Sequence, residues 1–181
     1  MRTLASLSPL ILVAALLEWS CDGRPPASAS VEAASGEVAR EARPGRGELW
    51  KVVRVIDGDT LVARPEARGV RAQKVRLLRI DTPERDEAGY REATEALESL
   101  VGSGSIRLED EVPGQRRRGN HGRLLAYVFS GDLNVNVEIV RRGWSRFWTR
   151  YGRGRFAARF EAAQEEARVA GRGLWGAGLS F

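Results

Sequence analysis

The stretch VRLLRIDTPE, residues 75–84, joins an apolar strand pattern to a pair of acids. Its apolar side chains occupy both faces of an extended chain, at Val75, Leu77, Leu78 and Ile80. That pattern predicts a buried β-strand over residues 75–80. Because Pro83 fixes the backbone direction beyond the strand, Asp81 and Glu84 are expected to lie together just past its end.

Further strands and helices are predicted on both sides of this stretch. The other strands are predicted at residues 50–56, 60–64, 106–111 and 124–129. Three helices are predicted: residues 90–101, a short helix around 137–140 that begins at Asn134 or Asn136 and ends at Gly143, and residues 156–170. This order predicts an α+β, mainly β fold: a five-stranded OB-type Greek-key barrel with about three helices.

The chain before the barrel has a different composition. Arg2 and an apolar run over residues 4–17 predict a signal peptide at residues 1–21, and therefore an exported protein: secreted, periplasmic or anchored in the envelope. Ser20 before Cys21 resembles a lipoprotein cleavage site, so lipidated Cys21 could attach the chain to a membrane. Ordinary cleavage near residues 27–29, or a retained anchor, are the alternatives.

Residues 22–47 are rich in Pro, Ala, Gly, Ser, Glu and Arg and carry few large apolar side chains. Such a segment cannot bury enough surface to offset its chain entropy, so we predict a flexible, disordered linker. The folded domain is predicted over residues 48–176, followed by a short tail at 177–181.

Charge and the counts of Cys and His restrict the function. The formal net charge is +5, which favours a polyanion as partner, either nucleic acid or an anionic membrane surface. A single Cys excludes an intrachain disulfide, and a single His excludes a multi-histidine site, so zinc is not expected. A metal, if bound, should be a hard cation held by carboxylates.

Three clusters carry chemistry, and each also has an ordinary structural interpretation. In residues 56–60, IDGDT, Asp-Gly is typical of a tight turn, but Asp59 could also offer a carboxylate to a metal. In residues 75–84, Arg76 shares a predicted strand face with Leu78 and Ile80. A guanidinium on an apolar face needs a carboxylate or a phosphate, and a structural salt bridge to Glu84 is the alternative.

The third cluster is NHGRLLAY, residues 120–127. Arg123 lies between Gly122 and a predicted strand, where it is either an ordinary basic turn residue or a ligand for an anion. Gly122 would let backbone or ligand approach closely.

Taken in order, these clusters resemble the staphylococcal nuclease (thermonuclease) family: D-G-D-T, then R-L-L-x-x-D-T-P-E, then G-R-x-L-A-Y, over about residues 52–175. The resemblance implies one Ca²⁺ ion held by Asp59, Asp81 and the backbone carbonyl of Thr82. It implies that Glu84 positions or deprotonates the attacking water. The remaining implied roles are phosphate binding by Arg76 and Arg123, and support of the site by Asp57.

The sequence departs from the family at the substrate side. His121 stands where members often have Tyr, and could contact a phosphate or a sugar. Tyr151 fits one position of the family's aromatic pair near a nucleotide base, whereas Thr149 replaces the other and Trp148 could substitute for it.

We therefore expect a monomeric, Ca²⁺-dependent nuclease acting on DNA, RNA or both, without a protein partner. The alternatives are a non-catalytic OB-type nucleic-acid binder and a surface lipoprotein that serves as a scaffold. The intact set of acids favours the enzyme, since a pure binder has no use for Asp59, Asp81 and Glu84 facing a polyanion.

Overall fold

The computed structural model describes residues 48–67 and 69–176. The predicted signal peptide (1–21) with Cys21, the predicted linker (22–47) and the predicted tail (177–181) lie outside the described residues. Within the two described ranges, no helix combines the length and the apolar character that crossing a membrane requires.

The described chain contains nine strands and three α-helices. In order they are β1 (Leu49–Asp57), β2 (Thr60–Pro65), β3 (Gln73–Leu77), β4 (Ile80–Asp81), α1 (Tyr90–Val101), β5 (Ser105–Glu109), β6 (Arg117–Arg118), β7 (Leu124–Ser130), β8 (Leu133–Asn134), α2 (Val135–Arg141), β9 (Arg146–Phe147) and α3 (Ala157–Val169). Short 3-10 turns occur at Asn120–Gly122 and Gly173–Trp175.

Five of the strands close into a barrel. Strand β1 pairs antiparallel with β2 and β5, β2 pairs with β3, and β5 pairs with β7. The parallel pairing of β3 with β7 closes the cylinder, with Val75 opposite Leu124 and Leu77 opposite Ala126. The predicted five-stranded OB-type barrel with three helices is therefore confirmed.

The core follows from strand alternation, because every second side chain of a strand points to the same face. The inward side chains of the barrel are almost fully buried: Leu61, Ala63, Val75, Leu77, Ile106, Leu108, Leu124, Ala126 and Val128. Register shifts after Val52 and Val55 bend the nine-residue strand β1, so that it can pair with β2 along its length and with β5 at its start.

Helices α1 and α2 pack their apolar sides on the barrel, and α3 packs against α2. Helix α3 buries Phe160, Ala163 and Ala167, three of the positions that its sequence spacing predicted. Helix α2 begins at Asn134, whose side chain accepts the Val137 N–H at 3.2 Å. Of the two predicted starts, Asn134 is therefore the cap.

Asn136, the other predicted start, is fully buried and ties α2 to the barrel. Its Oδ1 accepts the Val128 N–H at 2.8 Å, and its Nδ2 donates to the Leu78 carbonyl at 2.9 Å.

The prediction of one continuous strand over residues 75–80 is wrong. Strand β3 ends at Leu77, and Arg79 adopts a left-handed backbone with φ of 66°. The chain turns there, and Ile80 opens β4, which pairs with β9 opposite Phe147. Arg76 therefore does not share a strand face with Ile80, because the turn interrupts the alternation between them.

Candidate active site

The turn between β1 and β2 holds Asp59 in a fixed position. Gly58 is buried there, and a Cβ on it would lie 2.8 Å from both the Ala93 Cβ and the Thr82 Oγ1, so only glycine fits. The Asp57 carboxylate accepts the Asp59 N–H at 3.1 Å. The turn interpretation and the carboxylate interpretation of this segment are thus compatible, and Asp57 contacts the backbone of Asp59.

The end of β4 brings Asp81 and Thr82 to the same place. The Asp81 N–H donates to the Ser145 hydroxyl at 2.8 Å, which fixes the strand end against the segment before β9. The buried Thr82 N–H donates to the Asp59 Oδ2 at 3.3 Å. Asp59 and Thr82 therefore meet directly, although 23 positions separate them.

Arg76 joins the two acids. One guanidinium nitrogen is in close contact with Asp59, and the other donates to the Asp81 Oδ1 at 2.9 Å. The side chains of Arg76 and Asp59 are 12% and 9% exposed, whereas that of Asp81 is 48% exposed. The alternative prediction of a salt bridge to Glu84 is wrong, because the partners of Arg76 are Asp59 and Asp81.

The cluster holds more negative charge than Arg76 can balance. Burial raises the pKa of Asp59 to about 7; the Arg76 guanidinium opposes this rise, and the neighbouring Asp57 carboxylate adds to it. Hydrogen bonds from Thr60 and Thr82 also oppose the rise. A buried carboxylate whose ionised form remains disfavoured beside an arginine is suited to a second cation.

The donor set fits a hard cation with open positions. Among the described residues no group of three or more His, Cys, Asp and Glu side chains is arranged to hold a metal. Two carboxylates, Asp59 and Asp81, do converge on one guanidinium. With the Thr82 carbonyl they would supply only part of the six to eight oxygen ligands that Ca²⁺ takes, leaving positions for water or a phosphate.

The other predicted site residues of the substrate and water side are Glu84, Tyr151 and His121. Glu84 is exposed, and its N–H donates to the Glu87 carboxylate at 2.8 Å. Tyr151 is 70% exposed and packs edge-on against Trp148, with ring centroids 5.4 Å apart. His121 is exposed within a 3-10 turn and has φ of 62°. No contact joins these side chains to Asp59 or Arg76 in the ranges that the structure covers.

Arg123 is the residue immediately before β7. It directly precedes Leu124, the register partner of Val75 in the parallel pairing that closes the barrel. Its Nε is buried and has no hydrogen-bond partner in the described part of the chain. A buried donor without an acceptor is costly, and an anion would satisfy it.

Sequence reasoning missed a second ion-pair network, built on Arg79. Its guanidinium donates to the Glu111 Oε2 at 2.9 and 3.2 Å, and to the carbonyls of Tyr151 and Gly152 at 2.8 and 2.6 Å. The Tyr127 hydroxyl donates to the same Glu111 oxygen at 2.7 Å. The network thus fixes the loop that carries Tyr151. A second arginine in a strand otherwise apolar was the available signal.

The fold is a closed OB-type barrel, and its edge carries a cluster of two acids and one arginine. Comparison with known proteins gives its family. The family model described as staphylococcal nuclease homologue matches residues 74–177, more than half of the 181 residues. The chain belongs to this family. Arg76, Asp81, Glu84 and Arg123 lie inside the matched span, whereas the turn with Asp59 precedes it.

Individual relatives agree with this membership. A protein of Haemophilus influenzae named "Uncharacterized endonuclease" is 32% identical over 125 residues, which cover 69% of this chain and 65% of the relative. An Escherichia coli O157:H7 protein of the same name is 33% identical, covering 69% of this chain and 75% of the relative. A Staphylococcus intermedius protein named "Thermonuclease" is 29% identical over 147 residues, 77% of this chain and 83% of the relative. Family and relatives together support a nuclease.

Proposed function

We propose that this chain is a Ca²⁺-dependent nuclease that hydrolyses phosphodiester bonds in DNA, RNA or both. The observation that carries the proposal is the bridge by which Arg76 joins Asp59 to Asp81 at the edge of the barrel. Acids distant in the sequence meet there beside an arginine, and a phosphodiester with a hard cation would match both kinds of charge.

The two arginines have separate tasks in this proposal. A phosphodiester is anionic and repels a nucleophile, so the equatorial oxygens need fixed positive donors. Arg76 offers donors that already point between two acids, and Arg123 offers a buried Nε without a hydrogen-bond partner among the described residues. Each guanidinium can hold two oxygens in a planar fork.

Glu84 receives the proton of the attacking water. It is exposed beyond Pro83, close in sequence to Asp81 and Thr82, so a water molecule can reach it. A carboxylate is a weak base, and its contribution comes from position more than from basicity.

Asp59, Asp81 and the Thr82 carbonyl would hold the Ca²⁺ ion. Bound there, the ion supplies Lewis acidity and a template for the phosphate and the water. Asp57 keeps the Asp59 backbone in place through its 3.1 Å hydrogen bond. His121 and Tyr151 are proposed to contact the substrate beyond the scissile phosphate. We further propose export through residues 1–21.

The test is cleavage of single- and double-stranded DNA and RNA by the full chain, with Ca²⁺, Mg²⁺ or a chelator. We expect cleavage with Ca²⁺ and none with chelator. Glu84→Gln and Arg123→Ala should each lower the rate by about 10²–10³-fold while the thermal unfolding midpoint is kept. Asp86→Asn, which removes an exposed acid two residues from Glu84, is the matched control and should cleave as wild type does.

The contrary result is nucleic-acid binding that weakens with salt, is indifferent to Ca²⁺ and is not followed by cleavage. That outcome would replace the enzyme with a non-catalytic OB-type binder.

A further inference from the structure

The outer face of β1, β2 and β3 carries cations in cross-strand rows. The row at one end contains Asp57, Thr60 and Arg76, which belong to the candidate active site. The next row contains Arg54, Val62 and Lys74, and the one after it contains Lys51 and Arg64. Successive rows are two residues of β2 apart, roughly 7 Å. The cations therefore continue directly from the active site across the sheet.

These cations differ from many arginines of the described residues in having no acidic partner. Within residues 48–67 and 69–176, no ion pair involves Lys51, Arg54, Arg64 or Lys74, and all four side chains are exposed. On the helices, by contrast, Arg91 pairs with Glu95 and Arg168 pairs with Glu165. Unpaired charges on one continuous face produce a positive potential that attracts a polyanion.

The face is also grooved and partly apolar. Lys51, Arg64 and Arg71 line a shallow groove together with Val53 and Val70, which are 52% and 45% exposed. No acid lines this groove; Glu48 and Glu66 line adjoining depressions, and the depression with Glu66 also includes Lys51 and Arg64. A nucleic-acid strand presents phosphates alternating with less polar sugars and bases, which suits cations interleaved with valines.

We propose that this face is a second binding surface for nucleic acid, which holds the phosphates of the strand that flank the bond being cleaved. We call it the cationic track and define it by Lys51, Arg54, Arg64, Arg71 and Lys74. The inference rests on the proposed function, because it identifies the polyanion with the substrate. The track is continuous with the Arg76 row, because Lys74 and Arg76 lie two residues apart on the same face of β3, so one nucleic-acid strand can contact both the track and the active site.

The test measures how binding depends on salt. The full chain with Glu84→Gln, to prevent cleavage, is titrated with a single-stranded oligonucleotide of about 20 nucleotides, longer than the ~4–16 that one OB fold covers. Adding Lys51→Gln and Arg64→Gln should reduce the slope of log affinity against log salt by about 1.4, since each phosphate contact on a single strand contributes about 0.7.

The matched control adds Arg91→Gln and Arg168→Gln instead. This pair makes the same change in net charge, but on helices, where both arginines have acidic partners. Its slope should equal that of the parent. Equal slopes for the two double variants would overturn the track. So would a loss of binding to vesicles of equal parts phosphatidylserine and phosphatidylcholine with an unchanged oligonucleotide slope, because the occupant would then be a lipid surface.

Cleavage of a dinucleotide by the unsubstituted chain separates this inference from the proposed function. If the chain cleaves the dinucleotide but the track variant leaves the salt slope unchanged, the proposed binding by the track is wrong and the nuclease activity is supported. If the track variant reduces the salt slope but no substrate is cleaved, binding by the track is supported and the proposed nuclease activity is wrong.

Discussion

Arg76 and Arg79 lie three residues apart, and each is joined to a carboxylate, yet their clusters differ in charge. Around Arg76, Asp59 and Asp81 share one guanidinium, and burial raises the pKa of Asp59 to about 7. Among the described residues, Arg79 is paired with one carboxylate, that of Glu111. Partial burial disfavours the ionised form of Glu111, but hydrogen bonds from Tyr127 and Arg79 outweigh it and lower its pKa.

Because of this difference, the Arg76 cluster can accept a charged ligand, whereas the Arg79 cluster already balances its own charges. Glu111 receives the Arg79 guanidinium, the Tyr127 hydroxyl and, at 3.0 Å, the Arg155 N–H, so its charge is well satisfied. The ionised form of Asp59, by contrast, remains disfavoured by burial even beside Arg76. We infer that the first cluster stabilises the fold and that the second is arranged for a cation and a phosphate.

The largest expected effect is on catalysis. Arg76→Gln should lower the rate of phosphodiester cleavage by about 10²–10³-fold, because a fixed donor to the developing charge is lost. Arg79→Gln should leave the maximal rate of the folded protein within a few-fold of wild type. Steady-state kinetics at a temperature where both variants are folded measures this contrast. An equal loss of cleavage rate in the two variants would contradict a catalytic role for the Arg76 cluster and a structural role for the Arg79 cluster.

The next effect is on stability and its pH dependence. Glu111→Gln should lower the free energy of unfolding at neutral pH by about 1–3 kcal/mol, since Arg79 and Tyr127 lose their charged acceptor. The folded-state pKa of Glu111 lies below its ordinary 4.5, so its contribution is present above about pH 4.5 and is lost as the pH falls through the folded value.

Urea unfolding of wild type and Glu111→Gln across acidic and neutral pH measures this effect. The gap between the two proteins should narrow as the pH falls below the usual carboxyl range. A gap that stays constant with pH would mean that the ionised form of Glu111 is not what stabilises the fold.

A smaller effect on stability is expected from Tyr127, the uncharged member of the Arg79 network. Tyr127→Phe removes one hydrogen bond to Glu111 but leaves the Arg79 ion pair, and the ring of Tyr127 remains packed edge-on against Phe156 at 4.7 Å. The free energy of unfolding should fall by about 0.5–1.5 kcal/mol, and cleavage should be unchanged. Thermal unfolding followed by circular dichroism measures the loss, which should be smaller than that of Glu111→Gln.

The sequence predicted much of the barrel because strand alternation and turn residues are local. The positions of four of the five barrel strands and of the three helices followed from spacing, which left Asn134 and Asn136 as alternative starts for α2. The turn at Leu78 and Arg79 was missed because four apolar residues in six have the same pattern in one strand as in two short ones. The left-handed Arg79 that separates the strands has no marker in the sequence.

The sequence predicted which residues form the site, but not which of them pair with each other. The resemblance brought together Asp59, Asp81 and Arg76, yet residue order alone left a salt bridge from Arg76 to Glu84 open. The Arg79 network could not be predicted, because Glu111 is 32 positions away and reaches Arg79 only through the closed barrel. Such long-range pairs depend on strand register, which local patterns do not determine.

The most direct test is a calorimetric titration of Ca²⁺ into the full chain, its Asp59→Asn variant and its Glu111→Gln variant, at a pH well above 7, where Asp59 is ionised. Wild type and Glu111→Gln should each bind one ion, and Asp59→Asn should lose that binding. If Asp59→Asn bound Ca²⁺ as wild type does, or if wild type bound none, the cluster around Arg76 would not be a cation site.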